Sequence, residues 1–175
     1  MDKSPFNKNS AKGFSFMEMV IYVTILVFIV VVLISTMLVI SKTYKKVSVG
    51  RTIETSAVLA LDRTTREIKN SNSIDATGSV FDSNPGSITL SGLTATGSPR
   101  TVKIYAENNI LKIMENGTYR GQLTASNTSV TNFVLKKIDH DSSDAVKIEM
   151  TIQSGTGEYQ KSENFYATAI LKGSY

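Results

Sequence analysis

The sequence predicts an α+β chain: one long N-terminal helix, apolar in its first half and amphipathic in its second, packed on a C-terminal antiparallel β-sheet. Two observations carry that expectation. Between Phe14 and Asn70 there is no proline and a single glycine, Gly50, so nothing obliges a helix to stop. Beyond Ser71 the apolar residues recur at every second position rather than every third or fourth, and Asn, Gly and Pro punctuate the runs. At 175 residues the chain has room for one ordinary domain of about 100–150 residues plus an appendage.

Residues 1–13 are short, polar and basic, with Lys3, Lys8 and Lys12 against Asp2. Residues 14–40 hold little except Val, Ile, Leu, Met and Phe, and the 22 residues from Met19 to Ile40 carry no charge. As a helix those 22 residues are roughly 33 Å long at about 1.5 Å each, enough to cross a hydrocarbon core of about 30 Å once. A cleaved secretory signal, cut near Ser35-Thr36, is the competing reading. It calls for an apolar region of about 7–15 residues and an A-x-A type site, and the sequence has neither. Basic residues flank both ends, with Lys42, Lys45, Lys46 and Arg51 on the C-terminal side, so the charge rule for orientation does not decide. The second cluster reads as a collar whose long side chains reach lipid headgroups. Glu18 stands out, because a carboxylate near the start of an apolar helix costs about 2.5–3.5 kcal/mol at mid-bilayer and less near the interface.

Residues 41–70 are expected to continue the helix. Ile53, Ala57, Leu61, Thr64 or Thr65 and Ile68 form one stripe toward a core. Arg51, Glu54, Asp62, Arg63, Arg66, Glu67 and Lys69 fill the other positions as a solvated or subunit-facing surface, with Asp62 and Arg66 spaced for an i,i+4 pair. Gly50 is either a bend or a tolerated helical glycine.

Residues 71–175 form a β-rich head. Residues 71–100 are rich in Ser, Thr, Asn, Gly and Asp and read as a loop-rich connector, with a turn at Asn84-Pro85-Gly86 and a short strand at Ser87–Leu90. A hairpin follows, Val102–Tyr105 and Leu111–Met114 around Asn108-Asn109, and Tyr119–Thr124 extends it past Asn116-Gly117. Further strands are expected at Val130–Ile138, Ala145–Ile152 and Phe165–Leu171.

The string KGFSFMEMVIYVTILV, with the apolar run to Ile40, resembles the processing site of type IV prepilins and type II secretion pseudopilins. The resemblance implies that a prepilin peptidase/methyltransferase cuts after Gly13 and N-methylates Phe14. It also implies that Glu18, then the fifth residue, forms an assembly salt bridge with the N-terminal amine of a neighbouring subunit. A carboxylate in an apolar layer becomes tolerable beside such a cation. Ser15-Phe16-Met17 departs from the commoner Thr-Leu-Ile triplet but stays small or apolar. The segments VTNFVLKKID, AVKIEMTIQ and FYATAILKG look like the minor pseudopilin J of type II secretion and W-type minor pilins.

The implied function is a structural subunit, minor rather than bulk, of a type IV pilus, competence pseudopilus or type II secretion pseudopilus. Its implied partners are other pilin or pseudopilin subunits, an inner-membrane assembly platform and membrane lipid. The implied location is a single-pass plasma (inner) membrane precursor with its head outside the cytoplasm, then a periplasmic or cell-surface filament. The alternative is a signal-anchored, exported β-rich ligand-binding module in which Gly13 stays uncut.

The residues point away from other classes. Removing residues 1–13 lowers the net charge from +4 to +2, which makes no case for nucleic acid, although DNA as a pilus cargo stays open. The absence of cysteine excludes a disulfide framework and thiolate metal sites. No G-x-S-x-G, H-E-x-x-H, P-loop or dinucleotide motif occurs, and one histidine cannot serve the usual triad, so neither catalytic residues nor a cofactor are expected. Asp139-His140-Asp141-Ser142-Ser143-Asp144 lacks the glycine of an EF-hand loop and reads as a polar turn, with no metal site. The sequons at Asn116 and Asn127 are left unassigned.

Overall fold

The computed structural model describes residues 13, 15–94, 96–140 and 143–171, with backbone alone for 139, 140 and 143. Its chain forms two compact units, Met1–Tyr44 and Lys45–Tyr175. Helix α1 (Phe16–Asn70) supplies most of the described part of the first and the α-helical part of the second.

In the first unit α1 is predominantly apolar and buries none of its side chains. Large side chains from Met19 to Ile40 are exposed by between 43% at Val30 and 74% at Met37. The helix is long and apolar enough to cross a membrane, which is compatible with a membrane anchor or a signal sequence.

In the second unit α1 buries Ile53, Ala57, Ala60, Thr64 and Ile68, the stripe expected from spacing, except that Ala60 is buried while Leu61 is half-buried. Ala57 and Ala60 are fully buried in the core. The helix passes Gly50 without interruption, so the glycine is accommodated within it. It ends at Asn70, where the amide and hydroxyl of Ser71 donate to the carbonyl of Ile68.

The expected strands form, but in two antiparallel sheets rather than one. The first contains β1 (Ser73–Ile74), β2 (Ser87–Leu93), β3 (Pro99–Glu107), β4 (Ile110–Glu115) and β5 (Thr118–Gln122), in chain order. The second contains β6 (Thr128–His140), β7 (Ser143–Ser154) and β8 (Lys161–Ile170), also in order. A 3-10 turn, Gly157–Tyr159, precedes β8. Asn108 and Asn109 at φ 52° and 61°, and Asn116 and Gly117 at 50° and 77°, make the two-residue turns whose twist matches the strands they join.

Alternation puts Val102 and Ile104 of β3 and Val146, Ile148, Met150 and Ile152 of β7 on the buried face. In β6 the buried residues Val130, Phe133 and Leu135 break strict alternation, because the register shifts between Val130 and Asn132.

The connector at 71–100 is more ordered than its composition suggests. Its polar groups satisfy one another around Asp75, whose carboxylate accepts from the amide and hydroxyl of Thr77 and whose carbonyl accepts from Ser79. Thr89 of β2 donates through its amide to Ser79 Oγ and through its hydroxyl to the carbonyl of Gly78. The loop therefore lies over β2, which explains why Ser87, Ile88, Thr89 and Leu90 are all buried rather than alternating.

Candidate functional site

Of the three residues singled out at the N-terminus, Gly13 and Glu18 are described, and Phe14 lies outside the described residues. Gly13 is exposed, has no regular structure, and a Cβ built on it would touch nothing within 4 Å. Helix α1 opens just beyond, where the carbonyl of Ser15 accepts from the amides of Glu18 (2.9 Å) and Met19 (3.1 Å). A carboxylate in this first turn is favoured by the unsatisfied amides and the dipole of the helix.

Sequence reasoning looked for a cationic partner for Glu18 and overlooked a neutral one. The hydroxyl of Tyr22, one turn on, donates to Glu18 Oε1 at 3.2 Å. The i,i+4 spacing was the available signal. A hydroxyl solvates a carboxylate without neutralising it, and an ionised carboxylate has about four lone-pair sites to fill. The remaining polar side chains of the apolar run are satisfied inside the helix. Thr24, Ser35 and Thr36 donate to the carbonyls of Val20, Val31 and Val32, at 2.8, 2.9 and 2.9 Å, and Thr43, just beyond the run, donates to that of Val39 at 3.0 Å. Such a surface needs no water, because each hydroxyl spends its proton on the backbone one turn earlier.

The head holds a second polar constellation. Glu67, expected on the solvated face of α1, is only 5% exposed. Arg63 pairs with it at 2.7 Å, and Arg100 of β3 holds it with two guanidinium nitrogens, at 2.7 and 3.3 Å. The Nε of Arg100 also donates to Glu115 of β4, which Arg120 of β5 engages at 2.9 Å. The hydrogen bond from Arg100, with the charges of Arg100 and Arg120, holds the Glu115 carboxyl below the usual glutamate range, and the carboxylates raise Arg100 in turn. Every carboxylate here already has a guanidinium, so the cluster ties the helix end to the first sheet. The expected Asp62–Arg66 pair also forms, at 2.6 Å between exposed side chains.

The Asp139–Asp144 segment closes the β6–β7 hairpin, with Asp139 opposite Asp144 and His140 opposite Ser143. Asp141 and Ser142 lie outside the described residues. Asp144 approaches Lys137 at 3.6 Å. Among the described residues no three His, Cys, Asp or Glu side chains gather as a metal would need.

Compared with protein-family models, curated proteins and solved structures, the chain finds no match.

Proposed function

We propose that the chain is a structural subunit, minor rather than bulk, of a type IV pilus, competence pseudopilus or type II secretion pseudopilus. A peptidase cuts behind Gly13 and methylates the new N-terminus at Phe14. The processed chain then adds to the filament through its apolar helix. The observation that carries the reading is Glu18, an acidic side chain in the first turn of a helix with an exposed apolar surface, with a tyrosine hydroxyl as its hydrogen-bond partner. An α-amine of an adjoining chain supplies the missing neutralisation and sets the register of addition.

The self-satisfied hydroxyls support the same reading, since one helical surface must serve in lipid during storage and against other helices in the fibre. Those two surroundings are similarly apolar, so hydrophobicity does not drive transfer and an ATP-driven inner-membrane platform is required. The head stays outside the cytoplasm and works by contact, without a cofactor or catalytic group.

The Glu18→Ala variant tests this. The expected result is normal removal of residues 1–13 and loss of filament incorporation; unchanged incorporation overturns the pairing. The Tyr22–Glu18 hydrogen bond favours a second reading, a signal-anchored exported module, because it gives the carboxylate a partner without any second chain. Mass spectrometry of the membrane-extracted N-terminus separates the two: N-methylated Phe14 supports assembly, and a chain still beginning at Met1 supports the anchor.

A further inference from the structure

The head carries a groove of about 580 Å³, a volume in the range of ligand sites, between α1 and the turn that leads into β8. Positions 46, 50, 51 and 54 share one side of the helix, at spacings of four, five and eight residues. Gly50 forms the floor. A Cβ there would meet the Lys161 ammonium at 3.4 Å, an ordinary contact, so the cation lies directly over the helix backbone at this position. On the far wall the Tyr159 ring lies 5.4 Å from the Lys45 ammonium, and Lys161 is paired with Glu163.

Lys46 and Arg51 differ from these neighbours. Both are exposed, and among the described residues neither has an ion pair or a side-chain hydrogen bond. Two unengaged cations five positions apart on the rim of a groove suit a ligand with delocalised negative charge, and the guanidinium fork suits phosphate best. Glu54 and Glu158 line the same groove, and as acceptors they suit hydroxyl groups rather than a second anion.

The position of the groove in the chain selects the source. Lys46 follows Ile40 by six residues, which span at most about 21 Å when fully extended. Wherever the apolar run lies embedded, the groove remains within that reach of the surrounding headgroups. An amphipathic tyrosine on the opposite wall suits an interfacial setting.

We infer that this groove binds the headgroup of an anionic glycerophospholipid, with its phosphate on Lys46 and Arg51 and its headgroup hydroxyls donating to Glu54. The inference rests on the apolar run being embedded in a membrane and is independent of filament assembly.

The test reconstitutes the full chain in nanodiscs of phosphatidylcholine with a minority of phosphatidylglycerol, then extracts it gently and counts retained lipids by native mass spectrometry. The wild-type chain is expected to retain phosphatidylglycerol. At about tenfold per 1.4 kcal/mol and about 1 kcal/mol per basic residue, the variant Lys46→Gln/Arg51→Gln should retain it roughly thirty-fold more weakly. Gly50→Leu fills the groove without changing charge and should also lose the lipid, whereas diffuse attraction to an anionic surface would leave that variant unaffected and overturn the site. Lys42→Gln, outside the groove, should keep it. Inorganic phosphate added to the detergent-extracted chain should not displace the lipid; displacement would mean that the site recognises free phosphate instead. Equal retention by all variants that still pellet with membranes refutes the groove and leaves the membrane reading intact. A wild-type chain released by carbonate refutes the membrane reading itself.

Discussion

Replacing Arg100 with leucine isolates the energetics of the buried cluster. Glu67 is 5% exposed and loses a two-point guanidinium contact, while Arg63, itself 46% exposed, remains at 2.7 Å. Breaking a buried ion pair from one side costs about 3–5 kcal/mol, chiefly because the other charge stays buried. With Arg63 still in place the lower end applies, so a loss of about 3 kcal/mol is expected. For a head of this size that corresponds to a fall in Tm of roughly 10 °C. The double variant Glu67→Leu/Arg100→Leu removes both charges of the buried pair and should recover most of that loss, because well-packed apolar substitutes for a buried pair are often neutral, leaving only the lost Arg100 contact to Glu115, which keeps Arg120. Thermal unfolding of the full chain in detergent, followed by the near-ultraviolet tyrosine signal, measures both. A single variant indistinguishable from wild type, or a double variant as unstable as the two single losses added together, would refute the view that Arg100 compensates a desolvated charge.

The depressed titration of Glu115 predicts acid sensitivity: its contribution is present above the ordinary glutamate value of about 4.3 and is lost as pH falls through the lower folded-state value. Tm measured between pH 7 and pH 3 should therefore fall at the acid end, and less steeply in Arg100→Leu; parallel curves would contradict the assignment. Phe133→Ala removes a side chain that is 1% exposed while leaving the backbone bonds of Phe133 to Asn84 Oδ1 and from the Gly86 amide in place. It should cost about 3–5 kcal/mol, read as a lower urea midpoint at unchanged slope, and an unmoved midpoint would remove Phe133 from the core.

Much of the architecture was legible because it is periodic. The apolar run, the helical stripe through Ile53, Ala57, Thr64 and Ile68, and the alternation in β3 and β7 all repeat over enough residues to overwhelm local exceptions. The asparagine turns were legible for a different reason, since Asn108-Asn109 and Asn116-Gly117 are residues that tolerate positive φ. The exceptions are single residues whose roles depend on distant chain. Glu67 looks like any surface glutamate until Arg100, 33 positions later, arrives on a neighbouring strand. The ordering of the serine-rich connector likewise depends on Thr89 being placed beneath Gly78 and Ser79.

By itself the sequence determined the class of the chain, a long helix with an apolar first half followed by β-strands, since periodicity and the cost of wetting greasy side chains are local properties. It also singled out Gly13, Phe14 and Glu18 by their order along the chain. Only the tertiary structure decided that the strands divide into two sheets, that Glu67 is buried and compensated, and that Gly50 underlies a charged groove with Lys46 and Arg51 on its rim. Those outcomes follow from which side chains are brought within a few ångströms of one another, and electrostatic and packing energies at that range do not depend on separation along the chain.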